Sequence, residues 1–324
     1  MGRVKNQHYV PQSYLQRFCS AEGKIFVFDK VKFSDKPEKS VFPSAVRNIA
    51  SENGFYDLPP DFSADAQAVE KTFGKVEGDA QGAINSLLEE VERDCGFDPR
   101  QEERRAILGT FIALQDIRTL AFRQTYTQIQ DSLLAKITQM HEVARKHYES
   151  KGEKVEVQPV NLGIPVDRLP VVHAKTMFSP EYILQAVGAL NSHIWLVGRN
   201  DTTQPLYTSD APVFRHPHVQ HPLLGGGAGL TSLGVEIFLP LTPRYVLILC
   251  ERTYFLPRLR VKEGGIISLD ANGVRFYNGM QIVGSRRQIY CSEDKFGLVR
   301  EAANENPELF NPDRQRFQVM NGAD

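Results

Sequence analysis

The sequence predicts an α+β fold, in which an N-terminal docked segment and strand, a helical hairpin or bundle, and a C-terminal mixed or antiparallel sheet enclose one polar cleft. Three observations carry this. The chain opens on an aromatic cluster, runs almost without proline from about residue 63 to 150, and from Ser192 onward is dominated by short β-branched runs.

The opening cluster is His8-Tyr9-Val10-Pro11-Gln12-Ser13-Tyr14-Leu15-Gln16-Arg17-Phe18. Two tyrosines, a leucine and a phenylalanine are too much apolar area to leave in water at about 25 cal/mol per Å². The segment therefore docks and carries His8 with it. Pro11 suits the first turn of a short helix that puts Tyr14, Leu15 and Phe18 on one face. Gly23 turns the chain, and Lys24 to Asp29 is a strand. Ser44 to Ala50 holds a helical turn, and Pro59-Pro60 closes the unit.

In the helical stretch, Asp98-Pro99 is expected as an N-cap with a first-turn proline, giving a helix, a break and a long helix. Further helical pieces follow between Asp167 and Gln185. Strands are expected at His193 to Val197, Val235 to Leu239, Tyr245 to Cys250 and Gln288 to Cys291. Leu223 to Gly229 is too glycine-rich for regular structure and is read as a mobile loop. The boundaries predicted are one integrated domain over 1–303, with a helical insertion at about 64–150, and a polar, fraying tail over 304–324.

Ile107, Leu108, Phe111, Ile112, Leu114, Ala121 and Phe122 share half of one helix wheel, and Gln115 and Arg118 fall near the middle of that face. A buried arginine keeps its proton and needs acceptors. The preceding helix offers them: Val69, Phe73, Val76, Ala80, Ile84, Leu87 and Val91 form its stripe, with Glu70 and Glu77 one heptad apart on its edge. Antiparallel packing makes either acid a partner for Arg118. Such a network either fixes helix register or belongs to a site, and the sequence leaves both readings open.

A net charge of −1 gives no global argument for binding nucleic acid or membranes. The first residues lack the apolar core of a signal peptide, and Asn6 breaks the myristoylation pattern begun by Gly2. No apolar run approaches a membrane span, so a cytoplasmic protein is expected. Cys19, Cys95, Cys250 and Cys291 lie far apart and are read as reduced and mostly buried. His216-Pro217-His218-Val219-Gln220-His221 resembles the H-x-H-x-D-H string of metallo-β-lactamase-type hydrolases, but Gln220 stands where that family has aspartate; an exposed loop is the preferred reading. Arg258, Arg260, Arg286 and Arg287, near Tyr254, Phe255 and Tyr290, are read as a solvated charged face rather than a nucleic-acid surface. Tyr207 to Pro212 reads as a strand ending in a polar turn, which makes Asp210 a candidate catalytic carboxylate.

His8-Tyr9-Val10-Pro11-Gln12 with Tyr14-Leu15 and Phe18 resembles the opening of a large bacterial family of unknown function, number four thousand two hundred thirty-eight of the domain-of-unknown-function series. Ala50 to Asn53 with Phe55-Tyr56, Glu70, Glu77, Phe111 to Gln115, Arg118, Ser209-Asp210 with Pro212, Leu239 to Pro243, Asn278 and Gln281 extend the resemblance over nearly the whole chain. It implies no activity or cofactor, but its recurring polar positions, His8, Glu52, Glu77, Gln115, Arg118 and Asp210, look like a site.

The leading expectation is a hydrolase, a metal-dependent phosphodiesterase or nuclease of a bacterial defence or toxin type. His8 would be general acid/base, Glu52 and Asp210 would hold a divalent cation or activate water, and Gln115 and Arg118 would bind the anion of a nucleic acid or a phosphate-bearing small molecule. Glu70, Glu77 and Asn278 would form a supporting polar network. The competing expectation is a non-enzymatic module that binds a ligand or peptide, in which the same polar residues are structural.

Overall fold

A computed structural model describes residues 5–93, 96–152, 168–219 and 228–316. The N-terminal segment forms strand β1 (Asn6–His8) and a short helix α1 (Gln12–Leu15), which tightens into a 3-10 turn over Gln16–Phe18. Pro11 sits just outside α1 as its N-cap, and Tyr14, Leu15 and Phe18 are buried, so the segment docks as its composition requires. Strand β2 (Ile25–Asp29) runs into α2 (Lys30–Asp35), whose first N–H groups are capped by the Asp29 carboxylate. β3 (Val41–Ser44), a 3-10 turn at Val46–Asn48 and β4 (Ser51–Asn53) complete the N-terminal unit.

Three helices fill the proline-poor stretch: α3 (Ala68–Glu92), α4 (Glu102–Ile117) and α5 (Leu120–Ser150). Two details differ from expectation. Asp98 accepts the Arg100 N–H in a local turn, and α4 starts only at Glu102, so Asp98 is not its cap. The wheel drawn from Ile107 through Phe122 is broken at Arg118–Thr119, because extended Thr119 caps α5 through the Phe122 N–H.

Helices α6 (Leu169–Met177) and α7 (Pro180–Ser192) lead into β5 (Ile194–Asn200), β6 (Thr208–Ser209), β7 (Phe214–Pro217), β8 (Val235–Pro240) and β9 (Tyr245–Cys250). After α8 (Arg252–Phe255) and β10 (Ile266–Leu269), helices α9 (Ala271–Gly284) and α10 (Gly297–Glu305) flank β11 (Gln288–Cys291). The C-terminal third is thus not purely β-rich. The glycine-rich run expected as a loop falls largely on 220–227, outside the described residues, as do Cys95, Gln220 and His221.

The strands form a five-stranded mixed sheet, β10-β5-β9-β8-β7, parallel only between β10 and β5, an antiparallel four-stranded sheet, β3-β2-β11-β6, and the pair β1-β4. Alternation along the strands divides the core. Trp195, Val197, Ile237, Leu239, Leu247 and Leu249 face the helices and the N-terminal segment, while Ile194, Leu196, Phe238, Val246 and Ile248 face Val274 and Tyr277 of α9. Phe28, Ile289 and Cys291 pack on Phe296, Val299 and Phe310 beside α10. Cys250 and Cys291 are buried and Cys19 partly so, all three as free thiols. The start of the expected tail is anchored: Phe310 is buried, and Gln124 and Gln128 of α5 donate to the Pro312 and Arg314 carbonyls. Among the described residues no helix is long and apolar enough to cross a membrane.

Candidate functional site

The antiparallel pairing of β1 and β4 sets Gln7 opposite Glu52 and His8 opposite Ser51. This small ribbon rests on α4. Gln115 donates to the Tyr9 carbonyl at 3.0 Å, and Arg118 donates to the His8 carbonyl at 2.6 Å. Arg118 also donates to Glu77 at 2.9 Å and to the Tyr56 hydroxyl at 3.3 Å, with its guanidinium 4.0 Å from the Phe73 ring centroid. The sequence-derived pairing of Arg118 with Glu77 is therefore present, and Gln115 extends the network. Gln7, which the sequence reading passed over, ties the Tyr56 N–H to the Asp57 carboxylate.

Arg118 is 2% exposed and its donors point at internal acceptors, so this geometry gives it a framework position rather than an open anion site. Asp210 is likewise 1% exposed. Its carboxylate accepts backbone N–H groups from Arg286, Arg287 and Gln288 at 2.7–2.9 Å, organising the turn that enters β11. Beside it, the side-chain nitrogens of Lys30, Arg314 and Arg316 donate to carbonyls at the C-terminal end of α9 and just beyond, and burial lowers the Lys30 pKa there.

His8 is buried, and its Nε2 has no hydrogen-bond partner in the protein; Gln12 approaches Nδ1 at 3.4 Å. Burial lowers the His8 pKa, the backbones of Arg47 and Val46 oppose that, and Arg118 adds to it, so the ring is neutral near pH 7. Among the described residues, six buried side-chain polar atoms lack a partner, and His8 Nε2, Gln115 Oε1 and Glu70 Oε2 are three of them. Their gathering around one network is notable, because native interiors satisfy nearly all such atoms. Burial raises the Glu70 carboxyl; Arg118 pulls it back, and Glu77 and Asp57 add to the rise.

Glu52 is exposed on β4. It connects electrostatically to the rest through Tyr9, whose hydroxyl pKa is pushed well up by burial and by the Asp210 and Glu52 carboxylates, against Arg287 and Arg286. Gln115 and Arg118 thus hold the segment His8-Tyr9 by its carbonyls, Glu52 and Asp210 lie within electrostatic reach of Tyr9, and Glu77 and Glu70 neighbour Arg118. Asn278 lies elsewhere, contrary to its expected grouping with those acids. From α9 it accepts the Tyr207 N–H and donates to Pro205, while neighbouring Gln281 binds Ser209 and Pro212. Sequence separation hid this role, since the partners lie about seventy positions away.

A second group escaped the sequence reading. His173 of α6 donates from Nε2 to the Ile117 carbonyl at 2.6 Å and accepts from Arg123 at Nδ1, an assignment of tautomer that follows from its partners. Burial and Arg123 lower its pKa to about 4. Its only signal in the sequence is a lone histidine in the otherwise apolar run Leu169 to Ala174.

The four arginines read as one charged face do not make common contacts: Arg258 stacks on Tyr254, whereas Arg287 pairs with Asp29 and Arg286 with Asp313. A cleft of about 660 Å³ lies on the α3–α4 hairpin, lined by Gly78, Gly82, Ser86, Glu103 and Ile107, away from His8. Among the described residues no three His, Cys, Asp or Glu side chains are grouped to hold a metal ion.

Residues 6–295 match the family described as Protein of unknown function (DUF4238). No curated protein and no solved structure matches the chain.

Proposed function

We propose that this chain, which belongs to the DUF4238 family, is a ligand-binding module that takes a phosphate-bearing small molecule at the face around His8, Tyr9 and Glu52. The observation that carries this reading is the set of unpartnered buried atoms around Arg118: His8 Nε2, Gln115 Oε1 on the side chain that holds the Tyr9 carbonyl, and Glu70 Oε2 within electrostatic reach of Arg118. With Gln12 donating to Nδ1, Nε2 carries the proton and offers it to an anionic oxygen. Arg286 and Arg287, within electrostatic reach of Tyr9, supply positive charge at the rim. Arg118, Glu77 and Asp210 act as the frame. Calorimetric titration with adenosine monophosphate and with inorganic phosphate tests this: saturable binding that weakens at least tenfold in His8→Ala supports it, and no saturable binding of either sinks it.

The second reading is the hydrolase, a phosphodiesterase or nuclease serving a defence or toxin role. It is favoured by one observation, a histidine kept neutral by burial and so able to accept a proton. In that reading His8 is the general base, and Glu52 is the carboxylate left to hold a divalent cation or activate water, since Asp210 is engaged by three backbone donors. Bis(4-nitrophenyl) phosphate and single-stranded DNA, each assayed with Mg²⁺ and Mn²⁺, distinguish the two. Turnover abolished by His8→Ala selects the hydrolase.

A further inference from the structure

Away from the N-terminal network, the register of β7 on β8 sets His216 directly opposite Glu236, and that of β8 on β9 sets Glu236 opposite Cys250. His218, just beyond β7, returns to the same row. Its Nε2 lies 2.7 Å from one Glu236 oxygen, and its backbone N–H donates to the Gly234 carbonyl at 3.0 Å. The other Glu236 oxygen accepts the Tyr277 hydroxyl of α9 at 2.7 Å. Glu236 is 6% exposed, and among the described residues its one ion-pair partner is His218. A carboxylate buried this way is costly unless hydrogen-bonded and paired, so the His218–Glu236–Tyr277 chain is held as a unit.

The arrangement has the form of a base oriented by a third group. With the Nε2 proton committed to Glu236, Nδ1 keeps its lone pair, with no hydrogen-bond partner among the described residues, and the His218 side chain is 32% exposed. Aromatic rings pack around the imidazole: His216 at 4.8 Å and Phe255 at 5.0 Å, both edge-on, and Tyr254 tilted at 6.4 Å between centroids. Arg258 covers Tyr254 at 3.9 Å, placing a cation beside the rings. Glu236 in turn is fixed by a hydroxyl from a different layer of the fold, so its position does not depend on β7 alone.

We propose that His218 is a proton-accepting binding residue, positioned by Glu236 and Tyr277, for a planar weak acid such as a phenol or a heteroaromatic N–H compound. The ligand ring packs against Phe255 and Tyr254. Its O–H or N–H bond breaks as the Nδ1–H bond forms, leaving an imidazolium paired with the ligand anion on one side and with Glu236 on the other. Arg258 adds attraction for the anion. The surroundings select the ligand class: aromatic edges favour a flat ring, and the chain behind His218 favours an acid.

The test is titration of the full-length protein with 4-nitrophenol, followed by calorimetry and by the nitrophenolate absorption band at fixed pH. The wild type binds saturably, and the band grows beyond that of free 4-nitrophenol. His218→Gln loses at least tenfold in affinity together with the band. Glu236→Gln keeps the side-chain volume and removes the charge, so it binds with the band reduced severalfold; Tyr277→Phe gives a smaller reduction in the same direction. Thermal melts of each variant separate these effects from unfolding. Absence of saturable binding to the wild type, equal binding by folded His218→Gln, or binding without growth of the band each overturns the proposal.

Discussion

The guanidinium of Arg118, at the end of α4, donates to the backbone carbonyl of His8 at 2.6 Å, so the N-terminal ribbon is held by a helix terminus 110 positions away. The same group donates to Glu77 on α3, which makes one side chain the junction of three elements.

Replacing Arg118 with Met leaves Glu77, the His8 carbonyl and the Tyr56 hydroxyl without their donor. Breaking one side of a buried pair costs about 3–5 kcal/mol. Glu77→Gln keeps an acceptor on a side chain that reaches solvent and costs less, about 1–2 kcal/mol. Urea unfolding of both variants should show that order; equal losses would mean that the His8 and Tyr56 contacts contribute nothing.

Asp210→Asn should act first on stability. The amide has one acceptor oxygen where the carboxylate receives three backbone N–H groups, and a buried unsatisfied donor costs about 1–3 kcal/mol. A lower urea midpoint with unchanged slope is the expected outcome. An unchanged midpoint would separate Asp210 from the framework.

His173 predicts a pH dependence. Its folded pKa, about 4, lies below the unfolded value of 6.5, so the unfolded chain binds more protons between those values. Stability is therefore full above pH 6.5, falls as pH drops towards 4, and levels off below. The loss is about 3 kcal/mol at 1.36 kcal/mol per unit. His8 shifts in the same direction. Between pH 7 and 4.5, His173→Gln should lose less stability than the wild type; parallel curves would remove His173 as the cause.

Gly74, Gly78 and Gly82 recur at four-residue spacing on α3, and a Cβ added at any of them meets nothing within 4 Å. Each Gly→Ala change should stabilise the protein by about 0.8–1 kcal/mol, because the unfolded chain loses freedom at no steric cost to the helix. Thermal melts of the three single variants would show it; a fall in melting temperature would mean that space is filled.

The helical hairpin is readable because its signal is local: apolar spacing along α3 and α4 alone places Arg118, Gln115 and Glu77 on facing sides. The break at Thr119 was not, since one threonine between two apolar runs is a weak punctuation, and only its hydroxyl on the Phe122 N–H makes it a start. Helix α9 was missed because Gly273, Asn278, Gly279 and Gly284 weaken its propensity, while its stability comes from Val274, Tyr277 and Ile282 packing on strands. The Asp210 partners are backbone groups, which carry no residue-type signature. His218 and Glu236 meet through strand register, which a string of histidines does not encode.

The Tyr14 hydroxyl donates to the Pro240 carbonyl and shares a hydrogen bond with Thr208, partners 226 and 194 positions further on. During synthesis, then, α1 leaves the ribosome well before these two partners exist. Until they follow, the Tyr14 hydroxyl has only solvent, or whatever shields nascent chains, to bond with. Closing so long a loop costs chain entropy that only the finished C-terminal sheet repays.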